Sequence, residues 1–263
     1  MTQSKRRLGM FDSGLGGLTV LGAIRALVAA TDVHYYADTI HVPYGDRQLE
    51  QVAGFARRII DRLLEHDPAA IVIACGTTCS AFDALGWPEI SVPLLGLVEP
   101  GARAASAATS SGSIGVIATN ATAKSGVFER NILKLRPDAM VKTVGAPALV
   151  PIVESGAWAS ERARDAVTAY CAGFVQAGCD TVVLGCTHYP HLAAWFSAAL
   201  GPSVRIVDPG VACAQDAARI LLRLEPEEAR LSIEVSGDPD AFAASATLLT
   251  GVKIDDVLRF SLT

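Results

Sequence analysis

Two short segments of this 263-residue chain share one pattern, an apolar run followed by a small residue, a cysteine and, at or near the next position, a threonine. Residues 181–192 read T-V-V-L-G-C-T-H-Y-P-H-L, and the β-branched start is typical of a buried strand. Residues 71–80 read I-V-I-A-C-G-T-T-C-S. Ligands bind at the carboxyl ends of strands in open parallel sheets. The sequence therefore predicts two thiols, Cys75 and Cys186, at ligand-binding strand ends.

The whole chain alternates apolar runs with amphipathic stretches, which indicates mostly parallel α/β sheets. Landmarks of the first half recur in the same order about 110 residues later. We therefore predict two similar, doubly wound α/β domains that face each other across a cleft holding the active site. Residues 1–99 with 212–263 form the first domain, and residues 100–211 the second. The recurring pairs are Leu8–Phe11 with Ile114–Ile117, Val42-Pro43 with Val150-Pro151, Ile71–Cys75 with Val182–Cys186, and Leu97–Gly101 with Ile206–Gly210.

Composition argues against several classes of protein. The chain is 51% hydrophobic with a net charge of −5, and its basic residues cluster only at Lys5–Arg7, so we expect no nucleic-acid partner. No apolar run reaches the roughly 20 residues of a membrane-spanning helix, and no signal peptide is recognisable. Six cysteines without a C-x-x-C pair fit a reducing cytoplasm and no zinc site. A metal or redox pair of Cys75 with Cys79 stays open.

Two thiols on opposite walls of a cleft suit one task in particular. One removes a proton from a carbon atom and the other returns a proton to the opposite face, which inverts the centre. A thiolate is favoured by a helix N-terminus or a cation, and both cysteines precede predicted helices. The N–H groups there also suit a substrate carboxylate. Asp12, Glu154 and His188 are candidate proton-managing groups; the alternatives are a turn residue, a surface residue and a capping group.

A glycine-rich turn, Gly14-Leu15-Gly16-Gly17, precedes the first predicted helix. It matches part of the dinucleotide fingerprint G-x-G-x-x-G, but Thr19 stands where the third glycine would be. A backbone nest for a small carboxylate explains the turn equally well. Both interpretations stay open from the sequence.

Five segments carry a resemblance to a known family. They are Phe11-Asp12-Ser13-Gly14-Leu15-Gly16-Gly17-Leu18, Pro43-Tyr44-Gly45, Ala74-Cys75-Gly76-Thr77, Val150-Pro151-Ile152-Val153-Glu154 and Gly185-Cys186-Thr187-His188-Tyr189-Pro190. In this order they resemble the glutamate racemases, which belong to the cofactor-independent aspartate/glutamate racemase superfamily. The resemblance covers residues 8–210.

The resemblance implies a two-domain α/β fold with a pseudo-twofold axis and a cofactor-free interconversion of L- and D-glutamate that feeds peptidoglycan synthesis. Cys75 and Cys186 would be the two proton donors and acceptors, with Asp12, His188 and Glu154 as further catalytic groups. The residues that would bind the substrate or tune the thiols are Asp12, Ser13, Tyr44, Gly45, Gly76, Thr77, Thr187 and His188.

The chain departs from the family pattern at Gly76, where the family usually has an asparagine that holds the substrate. Glycine removes the amide and, we expect, widens the site. A milder departure is Ala146, where many members carry a cysteine. Two alternatives therefore stay open: a racemase, epimerase or isomerase of the same superfamily acting on another carboxylate, and a binding protein that kept the fold and lost turnover.

We expect no cofactor and no metal. Pyridoxal phosphate requires a Schiff-base lysine, and the lysines, at positions 5, 124, 134, 142 and 253, lie outside both thiol loops. The expected partner is a small amino-acid substrate, and a homodimer is left open.

Overall fold

The structure, a computed structural model, describes residues 5–261 and contains two β-sheets flanked by helices. The strands are β1 (Arg7–Asp12), β2 (Asp32–Ala37), β3 (Ala70–Ile73), β4 (Leu94–Leu95), β5 (Ser113–Ala118), β6 (Met140–Gly145), β7 (Thr181–Leu184), β8 (Arg205–Val207), β9 (Leu231–Val235) and β10 (Val257–Arg259). The α-helices are α1 (Gly17–Leu27), α2 (Leu49–Leu64), α3 (Gly76–Leu85), α4 (Val98–Ala108), α5 (Asn120–Ser125), α6 (Val127–Leu135), α7 (Leu149–Glu154), α8 (Glu161–Gln176), α9 (Ala193–Leu200), α10 (Pro209–Leu221) and α11 (Pro239–Thr250). Short 3₁₀ turns cover Tyr44–Asp46 and Tyr189–Leu192.

The first sheet has the strand order β10-β9-β2-β1-β3-β4, and the second has the order β6-β5-β7-β8. Every pairing between these strands is parallel. The strands that precede the two thiols are β3 and β7. In the first sheet β3 pairs with β1, with Ile73 next to Phe11, and in the second sheet β7 pairs with β5, with Leu184 next to Ile117. The predicted fold class, two α/β units with parallel sheets, is confirmed.

The buried strands explain where the thiols lie. All four residues of β3 and all four of β7 are buried, as expected for parallel strands covered by helices on both faces. Helix α2 shows the matching amphipathic pattern, with Val52, Ala56, Ile59 and Leu63 buried on one side. Cys75 and Cys186 therefore emerge at the carboxyl edges of the two sheets, where parallel α/β sheets bind ligands.

Two helices begin close to the carboxyl edge of the first sheet. Helix α3 begins at Gly76, and the carbonyl oxygen of Cys75, its N-terminal flanking residue, accepts from the Cys79 N–H at 3.0 Å. Residues 99–101, which include Pro100, lie in the first turns of α4. Proline is tolerated in a first turn because its missing N–H has no intrahelical partner there.

The C-terminal segment extends the first sheet, because β9 pairs with β2 and β10 pairs with β9. The domain boundaries, residues 1–99 with 212–263 and residues 100–211, stay a prediction, and residues 1–4 and 262–263 lie outside the described range. Within residues 5–261, no helix is both long enough and apolar enough to cross a membrane.

Substitutions of two glycines, one closely packed and one in an open position, test the packing of the fold. A Cβ atom on Gly115 of β5 would lie 2.6 Å from the ring of the buried Phe174, whereas a Cβ on Gly22 of α1 would meet nothing within 4 Å. We expect Gly115→Ala to lower the free energy of unfolding by about 1–3 kcal/mol through overpacking. Gly22→Ala should raise it by about 0.5–1 kcal/mol. Urea unfolding measures both, and an unchanged Gly115→Ala midpoint would contradict the packing described here.

Candidate active site

The two thiol loops line one small cavity. Its volume is about 10 Å³, room for roughly one water molecule, and Cys75 and Cys186 are only 5% and 6% exposed. The residues that line it are Asp12, Ser13, Pro43, Tyr44, Gly45, Cys75, Gly76, Thr77, Thr119, Val150, Gly185, Cys186, Thr187 and His188. Every residue proposed for the site from the sequence lines this cavity except Glu154, which contacts His188 from behind.

Cys75 flanks the N-terminus of α3 and lies close to Asp12. Burial raises the pKa of the Cys75 thiol well above its usual value, and the negative charge of Asp12 raises it further. Cys75 therefore keeps its proton in the absence of substrate. At Cys75 the loss of solvation and a like charge outweigh the donors at the helix N-terminus, which favour a thiolate.

Asp12 ends β1 and is completely buried. Its Oδ2 accepts hydrogen bonds from the N–H groups of Gly17, at 2.8 Å, and Gly14, at 3.4 Å. Its Oδ1 has no hydrogen-bond partner among the described residues. Burial raises the pKa of Asp12, although the charge of His188 and the Gly17 N–H act against it. Asp12 is thus both the turn residue of the alternative interpretation and a carboxyl group with one oxygen open to a ligand.

Cys186 belongs to a chain of three polar groups in the second half of the protein. The Sγ of Cys186 lies 3.7 Å from Nδ1 of His188, and Nε2 of the same ring lies 2.5 Å from Oε1 of Glu154. Burial by itself would lower the pKa of His188, yet the contacts with Cys186 and Glu154 raise it well above its usual value. A protonated imidazole next to a thiol is the setting that favours a thiolate.

Glu154 is a partly buried link and not the surface residue of the alternative interpretation. Its side chain is 22% exposed, and its Oε1 also accepts a hydrogen bond from the Leu15 N–H at 3.1 Å. Burial would raise the pKa of Glu154, but the hydrogen bond and charge of His188 lower it. Glu154 therefore stays ionised, supports the imidazolium of His188 and connects the second half of the chain with the glycine-rich turn of the first.

The expectation that Gly76 widens the site is wrong. A Cβ atom at position 76 would lie 2.5 Å from the carbonyl oxygen of Gly185, a separation that real Cβ atoms do not tolerate. The vacated space is filled by the backbone of the opposite thiol loop. Glycine at position 76 therefore lets the two loops approach each other instead of enlarging the cavity between them.

The glycine-rich turn is covered by protein side chains, which argues against a phosphate-binding loop. A Cβ on Gly16 would lie 2.5 Å from Oγ1 of Thr187 and 2.6 Å from Nδ1 of His188. A Cβ on Gly17 would lie 2.5 Å from the hydroxyl of Tyr35. Gly16 permits the close approach of the second half of the chain, and Gly17 permits that of Tyr35 in the first half. The surface that a pyrophosphate would require is therefore occupied.

A chain of hydroxyl groups across the floor of the cavity was missed in the sequence. Oγ1 of Thr77 lies 3.0 Å from Oγ1 of Thr119, which donates to Thr122 at 3.1 Å, and Ser80 donates to Thr122 at 3.3 Å. Thr77 and Ser80 belong to the first half, and the other two belong to the second. Thr119 directly follows β5. Inspection of the residues after β5, in addition to those after β3 and β7, would have found it. Pro43, Val150 and Gly185 are further lining residues that were not predicted as site residues.

Cys79 does not form a pair with Cys75. Its Sγ accepts from the Leu97 N–H at 3.4 Å and lies 3.8 Å from the carbonyl oxygen of Ile73. Among residues 5–261, no group of three or more His, Cys, Asp or Glu side chains is arranged to hold a metal ion. The titratable side chains that line the cavity are those of Asp12, Tyr44, Cys75, Cys186 and His188.

The sequence model of the Asp/Glu/hydantoin racemase family matches residues 16–217, and the chain belongs to this family. Among curated relatives, the glutamate racemase of Herpetosiphon aurantiacus is 43% identical over 242 residues, which cover 90% of this chain and 94% of the relative. The glutamate racemase of Desulforudis audaxviator is 37% identical over 98% of this chain and 99% of its own length.

Solved structures agree with the sequence comparison. A glutamate racemase isoform from Bacillus anthracis superimposes with a TM-score of 0.91 at 30% identity, over 97% of each chain. The glutamate racemase of Thermus thermophilus gives a TM-score of 0.85 at 38% identity, again over 97% of each chain. The similarity therefore extends through both sheets and through the C-terminal strands.

The protonation of His188 is directly testable. We expect its pKa, followed by nitrogen NMR of the histidine rings, to lie well above the usual value of about 6.5, and Glu154→Gln to lower it because the paired carboxylate is lost. The control Glu161→Gln removes an exposed carboxylate on α8 and should leave His188 unchanged.

A raised folded-state pKa also has a consequence for stability. The imidazolium stabilises the fold fully below the unfolded pKa of about 6.5, and this contribution is lost as the pH rises through the folded value. Glu154→Gln should flatten that part of the pH dependence of unfolding. Titration of His188 near 6.5 in the unmodified protein would contradict the proposed ion pair.

Proposed function

We propose that this protein is a glutamate racemase, which interconverts L- and D-glutamate by moving protons at the α-carbon between Cys75 and Cys186. The observation that carries the proposal is that two thiols, each at a strand end of a different sheet, line one cavity. Inversion of a carbon centre requires that one face lose a proton and the opposite face gain one. Two monoprotic groups that face each other meet this requirement without further chemistry.

The two thiols lie in different electrostatic surroundings. Cys75 holds its proton because burial and Asp12 raise its pKa, whereas Cys186 contacts the imidazolium of His188. For one enantiomer, the thiolate of Cys186 takes the α-proton and the thiol of Cys75 delivers its own proton to the other face. The product leaves Cys186 as a thiol and Cys75 as a thiolate, which is the state that serves the opposite enantiomer.

The cavity walls offer the donors that two substrate carboxylates need. Ser13, Thr77 and Thr187, which carry hydroxyl groups, line it together with the two thiol loops, which carry backbone N–H groups. Hydrogen bonds to an ionised acceptor are the stronger ones, and preorganised donors also stabilise charge that builds up on the α-carboxylate when the proton leaves. The present cavity of about 10 Å³ holds no more than one water molecule. The two loops therefore separate to admit glutamate and close again around it.

The relatives favour glutamate over another carboxylate. Proteins named glutamate racemase match this chain over almost its full length at 36–43% identity, and the cavity retains both thiols and the polar groups around them. We further propose that the product D-glutamate supplies peptidoglycan synthesis, that the protein works in the cytoplasm without a cofactor, and that its partner is the amino-acid substrate rather than a nucleic acid.

The decisive test of the proposal is the chiral analysis of purified protein incubated with each enantiomer of glutamate. Cys75→Ala and Cys186→Ala should each lower the rate of inversion by at least about 10²-fold, because each removes the acid or base of one face. Cys171→Ala and Cys213→Ala remove buried thiols outside the cavity and should keep most of the activity. Near-normal inversion by either Cys75→Ala or Cys186→Ala, or no inversion by the unmodified protein, would refute the proposal.

Gly76 gives a second test, of the geometry of the closed site. Gly76→Ala adds a Cβ that meets the Gly185 carbonyl and holds the two thiol loops apart when they close on glutamate. We expect kcat/KM to fall about tenfold, equivalent to about 1.4 kcal/mol, within the range for overpacking. Gly22→Ala, in an open position on α1, is the matched control and should leave kcat/KM unchanged. An unaltered kcat/KM for Gly76→Ala would show that the loops do not approach during turnover.

A further inference from the structure

Asp38 is a buried acid that the proposed chemistry does not use. It directly follows β2, is completely buried, and its backbone N–H donates to the carbonyl oxygen of Asp12 at 3.0 Å. It does not line the cavity between the thiols. A carboxyl group in such a position is costly to bury unless hydrogen-bond donors satisfy it. Its hydrogen-bond partners therefore indicate which parts of the chain Asp38 positions.

Three side chains from two segments of the chain provide those donors. Tyr44 donates its hydroxyl proton to Oδ2 at 2.6 Å, Ser236 donates to Oδ1 at 2.8 Å, and Nδ1 of His41 lies 2.8 Å from both carboxylate oxygens. Oγ of Ser236 also accepts from the Ile40 N–H at 3.0 Å. The loop of residues 38–47 is therefore held by the Asp38 carboxylate, which contacts His41 and Tyr44 directly and Ile40 through Ser236.

Tyr44 connects this network to the site. Tyr44 is 2% exposed and lines the cavity together with the adjacent Gly45. Burial raises the pKa of its hydroxyl well above the usual value, and the charge of Asp38 raises it further, with smaller effects from Cys75 and Asp12. The phenol therefore stays neutral, and its single proton is directed to Asp38. The orientation of the ring, and with it the position of the Tyr44-Gly45 backbone against the cavity, is set by this hydrogen bond.

The C-terminal strand takes part through Ser236. This residue follows β9 and lies beyond residue 217, where the match to the family model ends. The pairing of β9 with β2 places Val235 next to Ala37, directly before Ser236 and Asp38. The C-terminal segment is thus more than an extension of the sheet, because it supplies one of the donors that fix the cavity loop.

We infer that Asp38 is a positioning residue that acts through Tyr44, and that Ser236 extends this function to the C-terminal segment. Asp38 holds the Tyr44-Gly45 wall in the position that binds the substrate, while the proton transfers at the two thiols proceed without it. The inference rests on the proposed racemisation of glutamate. Loss of Asp38 should therefore weaken substrate binding and leave the chemical step nearly intact.

A double-mutant cycle tests this inference with the full-length chain. Asp38→Asn keeps the size of the side chain but not its charge, and we expect KM for glutamate to rise about tenfold with kcat changed less than about threefold. Tyr44→Phe removes the hydroxyl through which Asp38 is inferred to act. In the Tyr44→Phe background, Asp38→Asn should change KM less than about twofold, because residues that act through one contact are not additive.

Ser236→Ala gives an independent arm in case the Asp38 variants fold poorly. It should raise KM severalfold with kcat nearly unchanged, whereas the matched control Ser232→Ala, on the same strand β9 and away from Asp38, should change neither. Equal effects of Asp38→Asn in both backgrounds, or a fall in kcat at unchanged KM, would overturn the inference. So would a Ser236→Ala variant with unaltered KM. An unmodified protein without racemase activity would refute the proposed function instead, so the two failures are distinguishable.

Discussion

The close approach of two backbone segments, Gly76 and the carbonyl of Gly185, determines the dimensions of the site. Each segment follows a fully buried strand of a different parallel sheet, so the position of each thiol is fixed by the core behind it. A protein interior is packed too densely for such strand ends to shift independently. The distance between the thiols is therefore a property of how the two sheets face each other, and small side chains at the contact are a condition for a closed cavity.

The charged groups beside the two thiols differ, and this difference assigns the two thiols different roles. On one wall a buried carboxyl group, Asp12, opposes ionisation of Cys75. On the other wall His188 and Glu154 form a charged pair next to Cys186. A racemase needs one base and one acid when its substrate binds. Two thiols in identical surroundings would not differ in their tendency to act as the base or as the acid. The asymmetry of the surroundings supplies this definition within an otherwise duplicated architecture.

The sequence predicted the parts of the structure that depend on local pattern. The two thiol loops, the parallel sheets and the positions of Asp12 and His188 beside the thiols follow from buried strands that end in reactive residues. The effect of Gly76 was predicted with the wrong sign, because it depends on a carbonyl group 109 positions away in the chain. The hydroxyl chain through Thr119, and the support of Tyr44 by Asp38 and Ser236, were missed for the same reason. Contacts between distant segments leave no periodic signal in a single sequence.

The central claim, that two thiols serve opposite faces of one carbon, is tested most directly by isotope exchange. L-Glutamate is incubated with the protein in heavy water, the reaction is stopped after a small fraction has been converted, and the α-hydrogen of each enantiomer is analysed. A two-thiol mechanism predicts that newly formed D-glutamate carries deuterium at the α-carbon from the first turnovers, because its hydrogen comes from a thiol that has exchanged with solvent. D-Glutamate that retains the original hydrogen would show that a single group returns the proton it removed, and would contradict the account.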